Sequence, residues 1–249
     1  MMTICFVYFR SLAMAHLRAS LFSLRQQDFT QVEKIIILDN NTDDSTTDIY
    51  SAAHEYEFPV PIVFYSAKHK DTTKTHAWST NAVVRQAFTP WVFFTRADYL
   101  LSFDIVKRFA SIAGGYPNDW NGFVTSDGSY VGALQECERT TWRENGPGVI
   151  QGTTYNHTVI DAGVWLGRSQ SFTQVGGLDE HLTAWGHAQT HFQWKLYKTG
   201  TEFIRIPEVL FYHLDHGGDK DIVLANQQLA SRGVSLQDMW SRYDGPKVY

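Results

Sequence analysis

Short apolar runs and stretches of helical periodicity alternate through the first hundred residues, and this alternation limits the fold more than any other feature of the chain. The runs suit buried strands, whereas leucines in the first intervening stretch recur at the spacing of an amphipathic helix. The predicted strands cover residues 3–9, 34–39, 60–66 and 91–94, and the predicted helices cover 12–27, 48–56 and 76–88. This order predicts an α/β fold with a mostly parallel sheet and helices on its faces.

Beyond residue 102 the alternation is less regular. We predict a helix at 103–112, strand segments within 122–134, a strand at 163–166, a helix at 187–198, a pair of strands at 203–207 and 209–213, and a helix at 222–231. No repeat, low-complexity tract or linker interrupts the chain. We therefore expect a single domain over residues 1–249, with a polar C-terminal tail at 219–249.

The composition supports a folded chain with a sizeable core. Of the 249 residues, 43% are hydrophobic and 14% are aromatic, which excludes global disorder. The net charge of −5 argues against a general nucleic-acid-binding surface or a strongly basic membrane-binding surface.

Cysteine usage and the termini bear on the compartment. Cys5 and Cys137 are far apart and outside any Cys-x-x-Cys pair, so we expect free thiols rather than a disulfide. No apolar stretch approaches the roughly 18 residues needed to cross a bilayer. The N-terminus lacks the small-residue cleavage site of a signal peptide. We expect a cytoplasmic protein with no transmembrane segment.

The run at 91–94 ends on charged residues rather than on ordinary turn residues. Arg96, Ala97 and Asp98 follow its apolar side chains directly. In open α/β sheets, ligands bind at the carboxyl ends of the strands, so an acid at this place predicts a ligand site. The alternative is an ordinary ion pair between Arg96 and Asp98 at the surface, which would contribute little.

The sequence from 17 to 46 resembles the opening of family 2-like GT-A glycosyltransferases. The matching features are Ser23, Leu24 and Gln27, then the strand-end acid Asp39, followed by the turn residues 40–43. The resemblance implies a GT-A (Rossmann-like) fold that binds a nucleoside diphosphate sugar. It implies that Asp39 hydrogen-bonds the base, that Tyr8 and Arg10 lie beside base and ribose, and that Asn41 lies in the same donor-binding turn.

A second match covers residues 75–101 and resembles the family's Asn-Ala helix and the strand that carries its Asp-x-Asp motif. Asn81 stands in the helix, Asp98 keeps the second acid, and Arg96 replaces the first. The resemblance implies that Asn81, Arg96 and Ala97 belong to the donor-binding site. The resemblance implies a divalent metal, Mn²⁺ or Mg²⁺, on Asp98, because a diphosphate leaving group carries charge that hard oxygen ligands and a cation can neutralise. Arg96 could instead contact a phosphate or ribose directly.

A third match, at 161–200, resembles the C-terminal module of galactosyl- and N-acetylgalactosaminyltransferases. The matching residues are Gly176, Gly177, Asp179, Glu180, Trp185, Gly186, Lys195, Leu196 and Gly200. The resemblance implies that the Gly176–Trp185 segment shapes the sugar and acceptor pocket, and that Gly163, Gly177 and Trp185 are donor-binding residues. It also implies that His213 and His216 join Asp98 as metal ligands, since imidazole is a competent Mn²⁺ ligand beside a carboxylate.

One departure affects catalysis. The family's Glu-Asp pair aligns with Ala188 and Gln189, and an amide cannot take the proton of an acceptor hydroxyl. Either the base lies elsewhere, or the mechanism is retaining, or catalysis has been lost. The candidate bases nearby are Asp161, His187, Asp179, Glu180 and His191.

These matches together imply a glycosyltransferase of the EC 2.4 class. It would move a sugar from a nucleoside diphosphate donor, with UDP-sugar as the expected class, to an acceptor hydroxyl on a glycan, a protein or a modified nucleobase. Residues 1–102 would form the nucleotide-binding half and 103–218 the acceptor and metal half. The alternative is a catalytically silent nucleotide-sugar-binding protein of the same fold. A nucleotidyltransferase would carry a Gly-rich phosphate loop after the first strand, and residues 9–18 contain no glycine.

Overall fold

The computed structural model describes residues 1–9, 12–40, 44–67, 76–133, 153–155, 163–183, 187–215, 222–234 and 247–248. The strands are β1 Met2–Phe9, β2 Val32–Asn40, β3 Ile62–Ala67, β4 Trp91–Arg96, β5 Tyr99–Leu101, β6 Gly122–Ala133, β7 Thr153–Tyr155, β8 Trp165–Arg168, β9 Glu202–Asp215 and β10 Lys247–Val248. The helices are α1 Met14–Arg25, α2 Thr46–Glu55, α3 His76–Val84, α4 Ile105–Gly114, α5 Ser169–Gln174, α6 His187–Lys198 and α7 Ile222–Ala230.

The described strands form one mixed sheet in the order β10-β9-β6-β8-β4-β1-β2-β3, with β5 paired to β9 and β7 paired to β6. The half from β4 to β3 is entirely parallel, and β8 enters antiparallel between β4 and β6. The predicted α/β class and mostly parallel sheet are therefore confirmed.

Helices cover both faces because side chains of the central strands alternate between two apolar layers. From β1, Ile4 and Phe6 enter the layer with Leu21 of α1 and Phe109 of α4. Val7 of the same strand enters the opposite layer, which holds side chains of α3, α5 and α6. Burial on both faces explains why these strands read as continuous apolar runs. Among the described helices, none is long and apolar enough to cross a lipid bilayer.

Strand β4 anchors the sheet through its aromatic residues and then turns sharply. Phe93 packs on Phe109, and Phe94 stacks on Trp165 at a centroid distance of 5.1 Å. After Arg96 the chain turns through two residues into β5, which pairs antiparallel with β9 so that Tyr99 faces His213. The turn thus connects the parallel half of the sheet to the edge of β9.

Three predicted strands need correction. The predicted pair at 203–207 and 209–213 is wrong, because β9 runs unbroken from Glu202 to Asp215. The register against β6 shifts so that Ile206 faces Ser126 while Val209 faces the next residue, Asp127. A bulge of this kind absorbs Pro207, which has no N–H to give to a regular ladder.

The strand predicted at 163–166 lies two residues later, at Trp165–Arg168. Its first predicted residue, Gly163, has φ +68°, a left-handed conformation outside the β region, so the strand begins after it. Cys5 is a buried free thiol, and Cys137 lies outside the described residues.

Two serines of α1 hold the turn between β4 and β5. The buried hydroxyl of Ser20 lies 2.7 Å from the carbonyl oxygens of both Ala97 and Tyr99. Ser23 accepts a hydrogen bond of 3.1 Å from the backbone N–H of Leu101. A helix that carries hydroxyls on its buried face therefore fixes the backbone on each side of Asp98.

We expect Ser20→Ala to lower the free energy of unfolding by about 1–3 kcal/mol, because buried carbonyl oxygens lose their hydroxyl donor. Ser51→Ala, at an exposed position of α2, is the matched control and should change stability by less than about 0.5 kcal/mol. Urea unfolding measures both. Equal stabilities of the two variants would show that α1 does not hold the turn.

Candidate functional site

Three predicted site residues lie at the carboxyl ends of neighbouring parallel strands. Tyr8 of β1 faces Asp39 of β2, and Val7 of β1 faces Arg96 of β4. The structure therefore brings Tyr8, Asp39 and Arg96 to one edge of the sheet, where open α/β folds bind their ligands.

Asp39 is fully buried, with 0% of its surface exposed. Its Oδ2 accepts a hydrogen bond of 2.8 Å from Ser66 on β3. Tyr8 places its hydroxyl 2.5 Å from Asp44 Oδ2 and 3.1 Å from the carbonyl oxygen of Leu12. Burial and the adjacent acid raise the pKa of Tyr8, so its hydroxyl stays protonated and donates. Tyr8 thus ties together the segments that follow β1 and β2.

Asp98 lies at the centre of a second group of charges. It is 0% exposed, and Arg96 is 6% exposed. Nη2 of Arg96 donates to Asp98 Oδ2 at 2.9 Å and to the hydroxyl of Tyr99 at 2.7 Å. His213 Nε2 lies 3.0 Å from the same carboxylate oxygen. The structure therefore brings together Asp98, in the turn between β4 and β5, and the late imidazole His213 of β9.

Aromatic rings and a glycine enclose this ion pair. The guanidinium carbon of Arg96 lies 4.9 Å from the ring centre of Tyr99 and 5.6 Å from that of Phe9. A Cβ on Gly163 would come within 2.9 Å of Tyr99 Cε2 and 3.0 Å of Arg96 Nε. Gly163 is thus a packing requirement of the cluster. Ala97 is buried, and its N–H donates to the carbonyl of Val7 at 2.9 Å.

His76, the first residue of α3, is a further neighbour of this ion pair, and in the sequence it marks only the start of a predicted helix. Its Nδ1 is buried and has no hydrogen-bond partner among the described residues. Burial and the positive charge of Arg96 lower the pKa of His76 to about 3, with Asp98 acting in the opposite direction. The imidazole of His76 is therefore neutral within the electrostatic influence of the ion pair, and no spacing in the sequence indicates it.

Asn81 clamps helix α3 to the segment 177–180. Its amide donates to the carbonyl of Leu178 at 2.9 Å and to Glu180 Oε1 at 2.7 Å, and it accepts from the N–H of Leu178 at 2.8 Å. Gly177, with φ +70°, approaches so closely that a Cβ would lie 2.3 Å from Asn81 Oδ1. These contacts hold the Gly-Gly turn in place. Whether Asn81 and Gly177 also bind the donor, as the resemblance implies, stays a prediction.

The candidate bases differ in how strongly each is already paired. Asp179 forms an ion pair with Arg232, whose Nε lies 2.8 Å from Oδ2. Glu180 accepts the bond from Asn81 and lies 3.6 Å from Arg85 Nη1.

His187 instead lies 2.9 Å from Asn226 Oδ1 through Nε2. If Nε2 carries the proton, Nδ1 is the basic nitrogen, and Asn226 orients the ring.

Helix α6 also carries His191 and Gln189, the residue that the sequence resemblance aligns with an acid. Both are buried, and Gln189 Oε1 and His191 Nδ1 have no hydrogen-bond partner among the described residues. Burial and the charge of Lys195 lower the pKa of His191, which favours a neutral ring.

The described residues alone do not complete a site for a divalent cation. Asp98 Oδ2 and His213 Nε2 converge, but within the described part of the chain no group of three His, Cys, Asp or Glu residues could hold a metal. A cation bound to Asp98 Oδ2 would lie at most about 5 Å from Arg96 Nη2, given a metal–oxygen distance of about 2.1 Å. With an effective dielectric constant of about 20, the repulsion between a dication and the guanidinium at that distance is about 7 kcal/mol, which opposes the attraction to the Asp98 carboxylate.

Five predicted site residues lie outside the described residues. They are Arg10, Asn41, Asp161, Trp185 and His216. Their roles stay predictions, and so does the metal that His216 would complete.

No protein-family model matches the sequence, and no curated protein matches it either. Solved structures do match. The crystal structure of S. aureus TarS 1-349 in complex with UDP has a TM-score of 0.61 at 15% identity and covers 86% of this chain. The complex of the same protein with UDP-GlcNAc has a TM-score of 0.61 at 17% identity and covers 88%. The chain spans 60% of the length of each of these two TarS chains.

The chain has a GT-A-like glycosyltransferase fold. The predicted GT-A architecture is confirmed at this level. At these identities the likeness concerns the fold alone, and the resemblance of the C-terminal module to galactosyltransferases stays a prediction.

We expect Gly163→Ala to lower the free energy of unfolding by about 1–3 kcal/mol more than Gly176→Ala does, because the added methyl must displace Arg96 or Tyr99. The control is matched, since both glycines have φ near +70° and a Cβ on Gly176 would meet nothing within 4 Å. Urea unfolding gives both values. Equal losses would mean that the residues around Gly163 move away at no cost.

Protonation of His76 should make stability depend on pH. The folded-state pKa of about 3 lies below the ordinary value of 6.5, so between these values the unfolded chain binds more protons. The free energy of unfolding should therefore fall as the pH falls through this window, by at most about 1.4 kcal/mol per pH unit from this group. His76→Gln should reduce that slope in urea unfolding, whereas His181→Gln, at an exposed position, should not. Identical slopes for wild type and His76→Gln would contradict the assignment.

Proposed function

We propose that the protein is a glycosyltransferase that moves a sugar from a nucleoside diphosphate donor, with UDP-sugar as the donor class, to an acceptor hydroxyl. The observation that carries the proposal is the row of polar residues Tyr8, Asp39 and Arg96 on adjacent strand ends. The row occurs in a fold shared with crystal structures of TarS bound to UDP and to UDP-GlcNAc.

Asp39 is the residue we assign to the base. An ionised carboxylate only accepts hydrogen bonds, so it selects a base that presents an N–H. Uracil carries such an N–H on its ring, and cytosine has an acceptor at the same place. Ser66 holds the carboxylate at 2.8 Å, which pre-orients it for this contact.

In the proposed reaction the acceptor oxygen forms a bond to the anomeric carbon of the sugar. The bond between that carbon and the donor's phosphate oxygen breaks, its electron pair stays on the diphosphate, and a base takes the acceptor proton. Among the described candidates we favour His187, because Asp179 is held by Arg232 and Glu180 by Asn81. Asp161 stays a candidate outside the described residues.

The resemblance also predicts Mn²⁺ or Mg²⁺ on Asp98, His213 and His216. We do not build the proposal on this cation, because Arg96 lies 2.9 Å from the carboxylate oxygen that would bind it. The donor site of the proposal consists of the strand-end side chains themselves.

A second candidate is a nucleotide-sugar-binding protein that has lost catalysis. Gln189 favours it, because this buried amide is the residue that the sequence resemblance aligns with the catalytic acid. The two functions share the donor site and differ in turnover.

A donor screen tests the proposal and separates the two functions. Calorimetry should show binding of UDP and UDP-sugars in preference to ADP and CDP, and a transferase should release UDP from the donor, whereas a silent protein binds without release. Asp39→Asn should weaken UDP binding about 10- to 100-fold through the lost charged hydrogen bond. Asp119→Asn, at an exposed position, is the control and should bind as wild type does. No binding of any nucleoside diphosphate would overturn both functions.

A further inference from the structure

We infer that Arg96, rather than a divalent cation, supplies the positive charge that faces the donor's diphosphate, so that donor binding does not require metal. The inference rests on the proposed function and concerns the same site. It departs from the metal dependence that the resemblance implies.

The strand end carries no net negative charge to attract a cation. A motif with two acids presents two negative charges to a cation, whereas Arg96 and Asp98 sum to zero. The carboxylate oxygen nearest to Arg96 is also the one nearest to His213, so Asp98 is already shared between two nitrogen groups. Its charge is therefore compensated by side chains of the protein.

The guanidinium of Arg96 is held in place by hydrogen bonds and by aromatic rings. Asp98 and the Tyr99 hydroxyl both hold Nη2, and the rings of Tyr99 and Phe9 lie against the group. A guanidinium has five N–H donors in a rigid fork, which matches the oxygens of a phosphate in a bidentate way. This enclosure fixes the guanidinium at a strand end of the donor edge. In this arrangement Asp98 is a positioning residue for Arg96.

The reaction itself also calls for positive charge beside the diphosphate. When the bond from the sugar to the phosphate oxygen breaks, the electron pair moves onto that oxygen, and the diphosphate gains negative charge. Pre-oriented N–H donors stabilise such charge without reorganising during the step. The atoms and electrons balance without a further reactant.

The experiment is calorimetric titration of UDP into the full chain, once with excess EDTA and once with Mn²⁺. The Kd for UDP of the wild type should agree within about twofold in the two conditions, a difference of less than about 0.4 kcal/mol. Wild-type binding that appears only with Mn²⁺ would overturn the inference and leave the proposed glycosyltransferase intact. Absence of UDP binding in both conditions would overturn the proposed function and the inference with it.

Arg96→Asp provides the converse test, because it restores a pair of acids. This variant should lose UDP binding in EDTA by about 100-fold or more and regain part of it with Mn²⁺, as a charged bidentate contact gives way to a metal site. Arg96→Lys keeps the charge without the fork and should bind UDP more weakly, but equally with and without Mn²⁺. Unchanged binding by Arg96→Asp in EDTA would overturn the inference.

Arg18→Asp is the matched control for the change of charge. Arg18 forms an exposed ion pair with Glu55, so its replacement also breaks a pair and reverses a charge. It should leave UDP binding at the wild-type value. Circular dichroism of each variant distinguishes loss of binding from loss of fold. The wild-type titration tests the inference without any substitution, so its result does not depend on how the variants fold.

Discussion

Arg96 and Asp98 face each other at 2.9 Å with almost no exposure to water, at the end of a strand in the middle of the sheet. A buried charge is tolerated only when it is paired and hydrogen-bonded, and removal of one partner leaves the other uncompensated. This pair therefore constrains the residues around it. His213 and the Tyr99 hydroxyl complete the contacts of this pair. Gly163, which has no side chain, leaves the space that Arg96 and Tyr99 occupy.

The surrounding elements serve to place this pair. Hydroxyls of α1 fix the backbone on both sides of Asp98, and the short strand β5 ties the turn to β9, which carries His213. The Asp98 carbonyl in turn accepts from the N–H of Leu214 at 2.8 Å. Backbone bonds and side-chain contacts thus meet on one acid, which is the arrangement expected where a site must be held rigidly for a ligand.

Much of the parallel half of the sheet could be predicted from the sequence, because strands buried on both faces form continuous apolar runs that Arg96 and Asp39 then end. Strand β9 could not, since Pro207 indicates a break and only the pairing with β6 shows that a bulge absorbs it. The nearness of Asp98 to His213 came from the family resemblance and not from local pattern. Pairs such as Asp179 with Arg232 and His187 with Asn226 depend on how the residues of α7 and the turn after it pack, and local sequence carries no signal for that.

The central claim is that this strand-end cluster is the site of the donor diphosphate, and a crystal structure of the chain with UDP tests it most directly. The account predicts that the uracil ring lies against Asp39 and that an oxygen of the β-phosphate lies at hydrogen-bond distance, about 3 Å, from the Arg96 guanidinium. A UDP molecule bound with its diphosphate away from Arg96 and Asp98 would contradict the account.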